Sequence, residues 1–228
     1  MKRSTLFAGL MMMMAWLPLA SFSDPSTLGP TGIVNVPTAQ TVPSGMVEML
    51  VTYDSYQVDG IRIKTAPVAT LSYGFAHGEV GVSYFNFSNN GVESVKSANV
   101  KYILLAESKS APSIAAGVMY LKGYSAETDV YLVATDTRLG NHVSATAGLL
   151  YQHPDDGNVS DHLTGMVGME FGSPEHLNVG VDYIIKDIGA GPMGGLTLRQ
   201  PITPHLGIQV GIGNASRYFA GMTLKFGV

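Results

Sequence analysis

The polar stretch "QHPDDGNVSDH", from Gln152 to His162, concentrates the side chains of this sequence that are best suited to acid–base chemistry. A carboxylate beside an imidazole can activate water or orient a nucleophile. Catalysis requires a nucleophile, a base and an orienting group to meet in space, and no second stretch offers a matching pair. Pro154 and Gly157 equally suit an ordinary solvated loop. The sequence therefore predicts no catalytic residue, and a hydrolase built on this loop is the alternative. Its candidate residues are Asp155, Asp156, Asp161 and His162.

Signals for a metal or cofactor site are weak elsewhere in the chain. Four histidines lie beside predicted turns, at His77, His142, His176 and His205. A metal site would need these imidazoles within a few ångströms of one another, and their spread favours a role at strand starts. The sequence contains no phosphate loop, zinc-ligand spacing or dinucleotide fingerprint. It therefore predicts no metal and no cofactor.

Five charged side chains stand singly inside apolar or glycine-rich segments, and their role depends on the solvent that each face of those segments meets. They are Glu48, Glu79, Glu170, Arg199 and Lys225. In the first such segment, Glu48 alternates with Val47 and Met49, so that one face is apolar and the other is polar.

After Ser44 the whole sequence follows this period of two, in short segments separated by turn residues. Most segments are close to the ~9–11 residues that a tilted strand needs to cross a bilayer. No later stretch is long and apolar enough for a membrane helix. Twelve segments are predicted, and ten is the nearest alternative count. They are 45–56, 66–75, 78–87, 95–106, 112–121, 128–138, 142–152, 162–171, 176–187, 194–200, 205–213 and 217–227.

The first residues of the chain predict export. Two basic residues precede an apolar run from Leu6 to Leu19, and small residues then lead to Asp24. This pattern is typical of a secretory signal peptide over residues 1–23, with cleavage after Ser23, and the run is too short for a membrane anchor. The remaining chain has 11 basic residues (13 minus 2) against 17 acidic ones, and its net charge of −6 argues against nucleic acid as a partner. It contains no cysteine, so no disulfide stabilises it.

Two features favour a membrane barrel over a soluble sandwich, which shows the same alternation. Connections predicted to be long and polar (54–65, 88–94, 153–161 and 187–193) alternate with others of which several are tight, as expected for outer loops and periplasmic turns. The connection 106–112 is longer than this pattern expects, and 213–216 is shorter. If the N-terminus is periplasmic, the aromatic residues of the apolar face fall near strand ends, where two interfacial girdles would lie. These residues are Tyr53, Tyr73, Tyr84, Tyr120, Tyr151, Phe171, Tyr183, Tyr218 and Phe226.

We therefore predict an all-β fold, a single transmembrane antiparallel β-barrel over residues 45–228 in contact with outer-membrane lipid. On this interpretation the five single charges face the lumen, with the carboxylates near the periplasmic end beside Arg199 and Lys225. Asp182 and Lys101 also face the lumen, nearer its middle. A ring of one sign suggests an ion-selective channel, whereas opposite signs at one depth favour an ion-pair network that braces a narrow barrel. We predict the braced lumen, and a small-solute pore is the alternative.

Residues 24–44 precede the first predicted strand and carry four prolines. The segment is short and contains the apolar "GIVNV", so it suits either a periplasmic tail or a plug in the lumen. Its stretch "TGIVNVPTAQTVPSGMVEM" resembles the entry segment of the YjbH-like outer-membrane barrel proteins that are associated with exopolysaccharide production. The residues that carry the resemblance are Gly32, Pro37, Thr38, Ala39, Pro43 and Gly45.

This resemblance implies a non-enzymatic barrel, structural or transport-related, that supports export or surface assembly of polysaccharide. The partners of such a barrel would be polysaccharide or export machinery. The chain departs from the family's lipoproteins because no cysteine follows the predicted signal peptide, and it is far shorter than the family's longest members. A surface protease or lipase that uses the 152–162 loop is the alternative function. A lipase needs a serine beside a histidine, and Ser144 and Ser160 are only chance candidates for that serine.

Overall fold

The structure is a computed structural model, and it describes residues 24–26, 29–58, 61–87, 94–123, 126–140, 142–157, 159–172, 176–187, 191–214 and 217–227. The predicted signal peptide, residues 1–23, lies outside the described residues. The described residues form β-strands and no helix. Across the same ranges, no helix is long and apolar enough to cross a membrane.

Twelve strands follow one another along the described chain, and each corresponds to one predicted segment. They are β1 (Met46–Val58), β2 (Ile61–Phe75), β3 (Gly78–Phe87), β4 (Val95–Leu105), β5 (Ser113–Lys122), β6 (Ala126–Asp136), β7 (Val143–Pro154), β8 (His162–Gly172), β9 (Asn178–Asp187), β10 (Gly191–Thr203), β11 (Leu206–Gly213) and β12 (Arg217–Gly227).

The sheet closes because β1 pairs with β12, in an antiparallel register that runs from Met46 opposite Gly227 to Ser55 opposite Tyr218. Each of the remaining strands pairs with the strands before and after it in the sequence, and the sheet is therefore a closed barrel. Closure leaves no strand edge, so the sheet satisfies its own backbone hydrogen bonds without water. The predicted all-β barrel of twelve strands is confirmed.

Side chains alternate between a buried interior and an exposed exterior, and the exterior is the apolar side. On β9, Val181 and Tyr183 are exposed, whereas Asp182 between them is 7% exposed. On β12, Met222 is exposed and Thr223 is 1% exposed. An apolar exterior around a polar interior is typical of a barrel in lipid and is the reverse of a soluble sandwich. The barrel therefore has the architecture of an outer-membrane protein.

All nine aromatic residues that were assigned to girdles are exposed on the exterior. The register places Tyr53 near the end of β1 that leads to β2, whereas Phe226 lies opposite Val47 at the other end of the barrel. Aromatic rings gain most at the boundary between lipid tails and headgroups. Their grouping into two interfacial girdles stays a prediction.

The predicted alternation of long and short connections is wrong in part. With the end at which β1 begins taken as periplasmic, most of the predicted outer connection 54–65 belongs to strands, because β1 and β2 pair as far as Val58 opposite Ile61. The ladder continues through polar residues whose composition favours a loop prediction. At the periplasmic end, the connection 106–112 is as long as the outer loop 155–161, and 137–142 is one residue shorter. Loop length therefore does not distinguish the two ends.

Candidate functional site

Residues 29–42, which we call the plug segment, lie inside the barrel with most of their side chains buried. Ile33 is 2% exposed, and Val34 and Val36 are 0% exposed. The chain bends back on itself here, because the Ile33 amide donates to the Val36 carbonyl at 3.0 Å and the Thr38 amide donates to the Thr31 carbonyl at 3.1 Å. The segment thus enters the lumen as a compact loop.

Three glycines on β8, β9 and β10 leave the space that the plug segment occupies. A Cβ atom at Gly168 would lie 2.4 Å from Cδ1 of Ile33, and one at Gly180 would lie 2.7 Å from Cγ2 of the same residue. A Cβ atom at Gly195 would lie 2.8 Å from Cβ of Val34. Close-packed interiors do not tolerate such distances unless a neighbour moves. These glycines therefore make the lumen fit the plug segment.

One side of the barrel interior is apolar where it meets the plug segment. Val36 and Ala39 pack in a buried cluster with inward side chains of β5 to β9. Those side chains are Ala115, Tyr131, Val133, Leu150, Met166 and Ile184. Burial of apolar surface contributes about 25 cal/mol per Å², so such a wall is stabilised by an apolar partner and not by water. It suits an occupied lumen.

Asp182 on β9 holds the bend of the plug segment. Its Oδ2 accepts hydrogen bonds from the backbone amides of Val34, Asn35 and Val36, at 2.8, 2.5 and 2.9 Å. Its Oδ1 accepts one from the Asn35 side chain at 3.2 Å. Successive amides that converge on one carboxylate form an anion-binding nest. The plug segment therefore satisfies a carboxylate that would be costly to bury without partners.

A buried ion pair between Glu79 on β3 and Lys101 on β4 fixes the two ends of the bend. The charged groups are 3.2 Å apart, and both side chains are 0% exposed. Glu79 accepts the amides of Thr31 at 2.8 Å and Val42 at 2.9 Å, together with the Thr31 hydroxyl. Lys101 donates to the carbonyl oxygens of Thr31 at 2.9 Å and Thr38 at 3.1 Å. The plug segment thus supplies hydrogen bonds that a buried pair needs.

Arg199 on β10 joins the plug segment to the barrel wall at the periplasmic end. Its guanidinium donates to Glu170 on β8 at 3.1 Å. It also donates to the carbonyl oxygens of Gly32, at 2.7 Å, and Ile33. One cation therefore binds both a wall carboxylate and the backbone of the plug segment.

Lys225 on β12 forms the second cationic point of this end, which we call the periplasmic mouth. Its ammonium lies 3.6 Å from the Glu48 carboxylate and 2.7 Å from that of Asp24. Asp24 also lies 3.9 Å from Arg199. Asp24 thus links the two cations just before the plug segment begins.

The five predicted lumen charges consequently fall into two groups. Glu48 and Glu170 lie beside Lys225 and Arg199, but among the described ion pairs Glu79 joins Lys101. The prediction that Glu79 lies beside Arg199 and Lys225 is therefore wrong, because the β3–β4 register places Glu79 directly opposite Lys101. The sequence does not show that Lys101 and Asp182 bind the plug segment. Their only signal is that each is a single charge at a lumen-facing position.

In the 152–162 loop, one predicted acid–base residue, Asp161, contacts two residues that are not among the predicted candidates. Asp161 accepts a hydrogen bond from the Tyr151 hydroxyl, and its Oδ1 lies 2.6 Å from Nδ1 of His153. The His153 and Asp161 side chains are 52% and 47% exposed. The hydrogen bond from Tyr151, followed by that from His153, lowers the pKa of Asp161. Both partners lie on β7, outside the group that the sequence singles out.

The other catalytic candidates lie in different environments. Asp155 and Asp156 are exposed, and Nε2 of His162 is buried without a hydrogen-bond partner in the described chain. Ser144 lies at the opposite end of β7, where its hydroxyl faces Glu170 at 3.5 Å. The structure therefore does not bring Ser144 to the 152–162 loop.

The predicted turn histidines lie in or beside turns. His77 and His142 have φ angles of 64° and 69°, a region that few residues other than glycine adopt. Nδ1 of His205 lies 3.1 Å from the Lys225 carbonyl. Within the described ranges, no three His, Asp or Glu side chains form a group that could hold a metal ion.

Cavities lie on both sides of the plug segment. One of about 550 Å³ opens at the periplasmic mouth and is lined in part by Asp24, Arg199 and Lys225. Another, of about 130 Å³, lies toward the outer end between Asn35 and Met166. The plug segment therefore separates two spaces within the barrel.

Comparison with known proteins identifies the family. Residues 25–188 match the model of the YjbH family, described as exopolysaccharide biosynthesis protein YbjH, which covers more than half of the chain. The chain therefore belongs to the YjbH family. No curated protein matches it.

Solved structures share the barrel fold at low sequence identity. The KdgM porin is 15% identical with a TM-score of 0.62, and the match covers 78% of this chain and 99% of the porin. The same porin solved in complex with disordered oligogalacturonate is 14% identical with a TM-score of 0.61, covering 79% and 99%. The COG4313 outer membrane channel from Pseudomonas putida F1 is 12% identical with a TM-score of 0.57, covering 85% and 100%. These similarities confirm the outer-membrane barrel fold.

Proposed function

We propose that this member of the YjbH family is a non-enzymatic outer-membrane barrel that supports export or surface assembly of exopolysaccharide and whose lumen is closed at rest. The observation that carries closure is the set of wall charges bound to the backbone of the plug segment. These are Glu79, Lys101, Asp182 and Arg199. An open pore presents its charges to water and solute, whereas these charges are buried against the chain itself.

The proposed polysaccharide role is supported by the description of the family and by the ligand of one barrel of similar fold. The family is described by exopolysaccharide biosynthesis, and the KdgM porin was solved with oligogalacturonate. In this chain the plug segment lies buried in the lumen between the two cavities. We therefore propose that the barrel acts in export as a closed component, and that a saccharide chain does not pass while the plug segment is seated.

A non-enzymatic role also agrees with the solvent exposure of the side chains in the 152–162 loop. The contact between His153 and Asp161 is half-exposed, and water is not excluded from it. An acid–base pair gains most of its catalytic strength in a water-excluded site with a nucleophile in reach. We therefore propose that this contact orders the end of β7.

The proposal is tested by deleting the gene and measuring secreted exopolysaccharide. We expect a loss of secretion that the wild-type gene restores. A variant with Asp155, Asp156, Asp161, His153 and His162 all replaced by Ala should restore it equally, since loop chemistry is not required. Undiminished secretion in the deletion strain would refute the exopolysaccharide role. Failure of the loop variant alone, at normal membrane abundance, would favour the hydrolase.

A further inference from the structure

The periplasmic mouth holds more carboxylates than cations among the described residues. In the ion pairs between described residues of this cluster, Asp24, Glu48 and Glu170 face two cations, Arg199 and Lys225, at distances from 2.7 to 3.9 Å. Glu48 is 0% exposed, and among the described residues the only cation in an ion pair with its carboxylate is Lys225, at 3.6 Å, which is longer than a normal hydrogen bond. Buried carboxylates are stable when they are both paired and hydrogen-bonded. The cluster therefore lacks one positive group with N–H donors.

Export processing would create such a group at Asp24. Hydrolysis of the peptide bond between Ser23 and Asp24, the predicted cleavage site, consumes one water and leaves a carboxylate on Ser23 and an α-ammonium on Asp24. An ammonium carries three N–H donors and a full charge. The peptide nitrogen of an uncleaved chain has one donor and no charge.

Asp24 is fixed at the periplasmic mouth by bonds other than its ion pairs. The Gly32 amide donates to the Asp24 carbonyl at 3.1 Å, and Pro25 forms a β-bridge with Thr31. The α-nitrogen of Asp24 lies within a few covalent bonds of its own carboxylate, which is 2.7 Å from Lys225. The new charge would thus arise inside the cluster.

We infer that the periplasmic mouth is a binding site for the α-ammonium group of the processed chain, with Glu48 and Glu170 as its wall carboxylates. The ammonium brings the cluster to equal numbers of positive and negative groups. The cavity of about 550 Å³ beside Asp24 and Glu170 leaves room for the group and for water. His142 and His176 also line this cavity, but both are exposed to solvent, which screens them. Removal of the signal peptide would then fasten the plug segment, whatever the barrel does in exopolysaccharide export.

The test compares two forms of the mature chain that differ only at the α-nitrogen. The chain beginning at Asp24 is refolded in detergent with either a free or an acetylated α-amine, and the thermal midpoint of unfolding is measured. We expect acetylation to lower the midpoint by about 2–4 °C or more, the range produced by a modest loss of stability in a chain of this size. Lys109→Gln, on an exposed periplasmic loop, removes the same charge elsewhere and should leave the midpoint unchanged.

A second substitution assigns the effect to the cluster. In a Glu48→Gln chain, or in Glu170→Gln should the first not fold, the cluster has one carboxylate fewer, so acetylation should lower the midpoint much less or raise it. Equal midpoints for the free and acetylated wild-type chains would overturn the inference. It would also be overturned by an acetylation effect that is unchanged in the substituted chain, or by a mature protein whose mass shows a first residue other than Asp24.

Discussion

At the residue scale, the plug segment depends on a few wall side chains, and Asp182 is the one with most backbone contacts to it. Asp182→Asn keeps the size of the side chain but replaces one acceptor oxygen by a donor. The three amides of residues 34–36 all donate to one oxygen, Oδ2, so an asparagine that keeps its oxygen there loses the negative charge and turns an NH2 group toward the Asn35 side chain, which then loses its acceptor. A buried donor left without an acceptor costs about 1–3 kcal/mol. We expect faster hydrogen exchange across residues 29–42, measured by mass spectrometry. Asp136→Asn is the control, because Asp136 pairs with Arg138 in an exposed turn. Unchanged exchange in Asp182→Asn would show that the nest does not hold the segment.

The glycines that line the plug segment make a second prediction. Gly195→Ala places a methyl group 2.8 Å from Cβ of Val34, so the plug segment or β10 must shift, and overpacking of this kind typically costs 1–3 kcal/mol. Gly207→Ala is the matched control, since the nearest atom to its Cβ is 3.8 Å away. Urea titration of the refolded barrel should therefore show a lower free energy of unfolding for Gly195→Ala only. Equal stability of the two variants would argue that residues 29–42 do not occupy the lumen.

The sequence predicts the face of each charge but not its partner. Period-two alternation is sufficient to place Glu48, Glu79 and Asp182 on the inner side of the strands. Partner choice depends on the strand register, which places Glu79 opposite Lys101, and on the path of a segment without any period. Neither follows from alternation. This is why the interaction of Asp182 with three amides of the plug segment escapes sequence analysis.

At the element scale, the strands can be predicted from the sequence, whereas the ends of the connections between them cannot. Hydrophobic alternation has a clear physical cause, since one face of each strand meets lipid and the other meets the lumen. A polar stretch such as 54–65 is compatible with either a loop or a solvent-exposed hairpin. Composition therefore does not show where the pairing between two strands ends. The structure resolves this through the ladder that continues to Val58 opposite Ile61.

The lipid-facing assignment of the strands gives the third prediction. Val181→Arg places a charge on the exterior of β9, which should destabilise the barrel by about 2–4 kcal/mol near the bilayer midplane. Leu139→Arg is the control, because Leu139 is exposed in the β6–β7 connection outside the strands. Unfolding by urea in lipid vesicles measures both. Equal tolerance of the two substitutions would contradict an exterior that faces lipid at Val181.

At the scale of the whole molecule, the barrel interior is a binding site for part of its own chain. Charges from β3, β4, β9 and β10, an apolar wall from β5 to β9 and three glycines all contact residues 29–42. The sequence leaves open whether this segment is a tail or a plug, because a Pro- and Gly-rich stretch without period carries no signal of its position. Only the closed barrel brings its partners together.

The conductance of the purified barrel in planar bilayers tests the closed lumen most directly. The closed state predicts little or no steady current for the wild type. Arg199→Gln with Lys225→Gln leaves Glu48 and Glu170 without those cations, so the variant should be less stable and show larger or noisier, cation-preferring currents. Arg138→Gln with Lys109→Gln removes the same charge from exposed turns and should behave as the wild type. Large, steady single-channel currents in the wild type, unchanged by the Arg199 and Lys225 substitutions, would contradict a lumen closed by the plug segment.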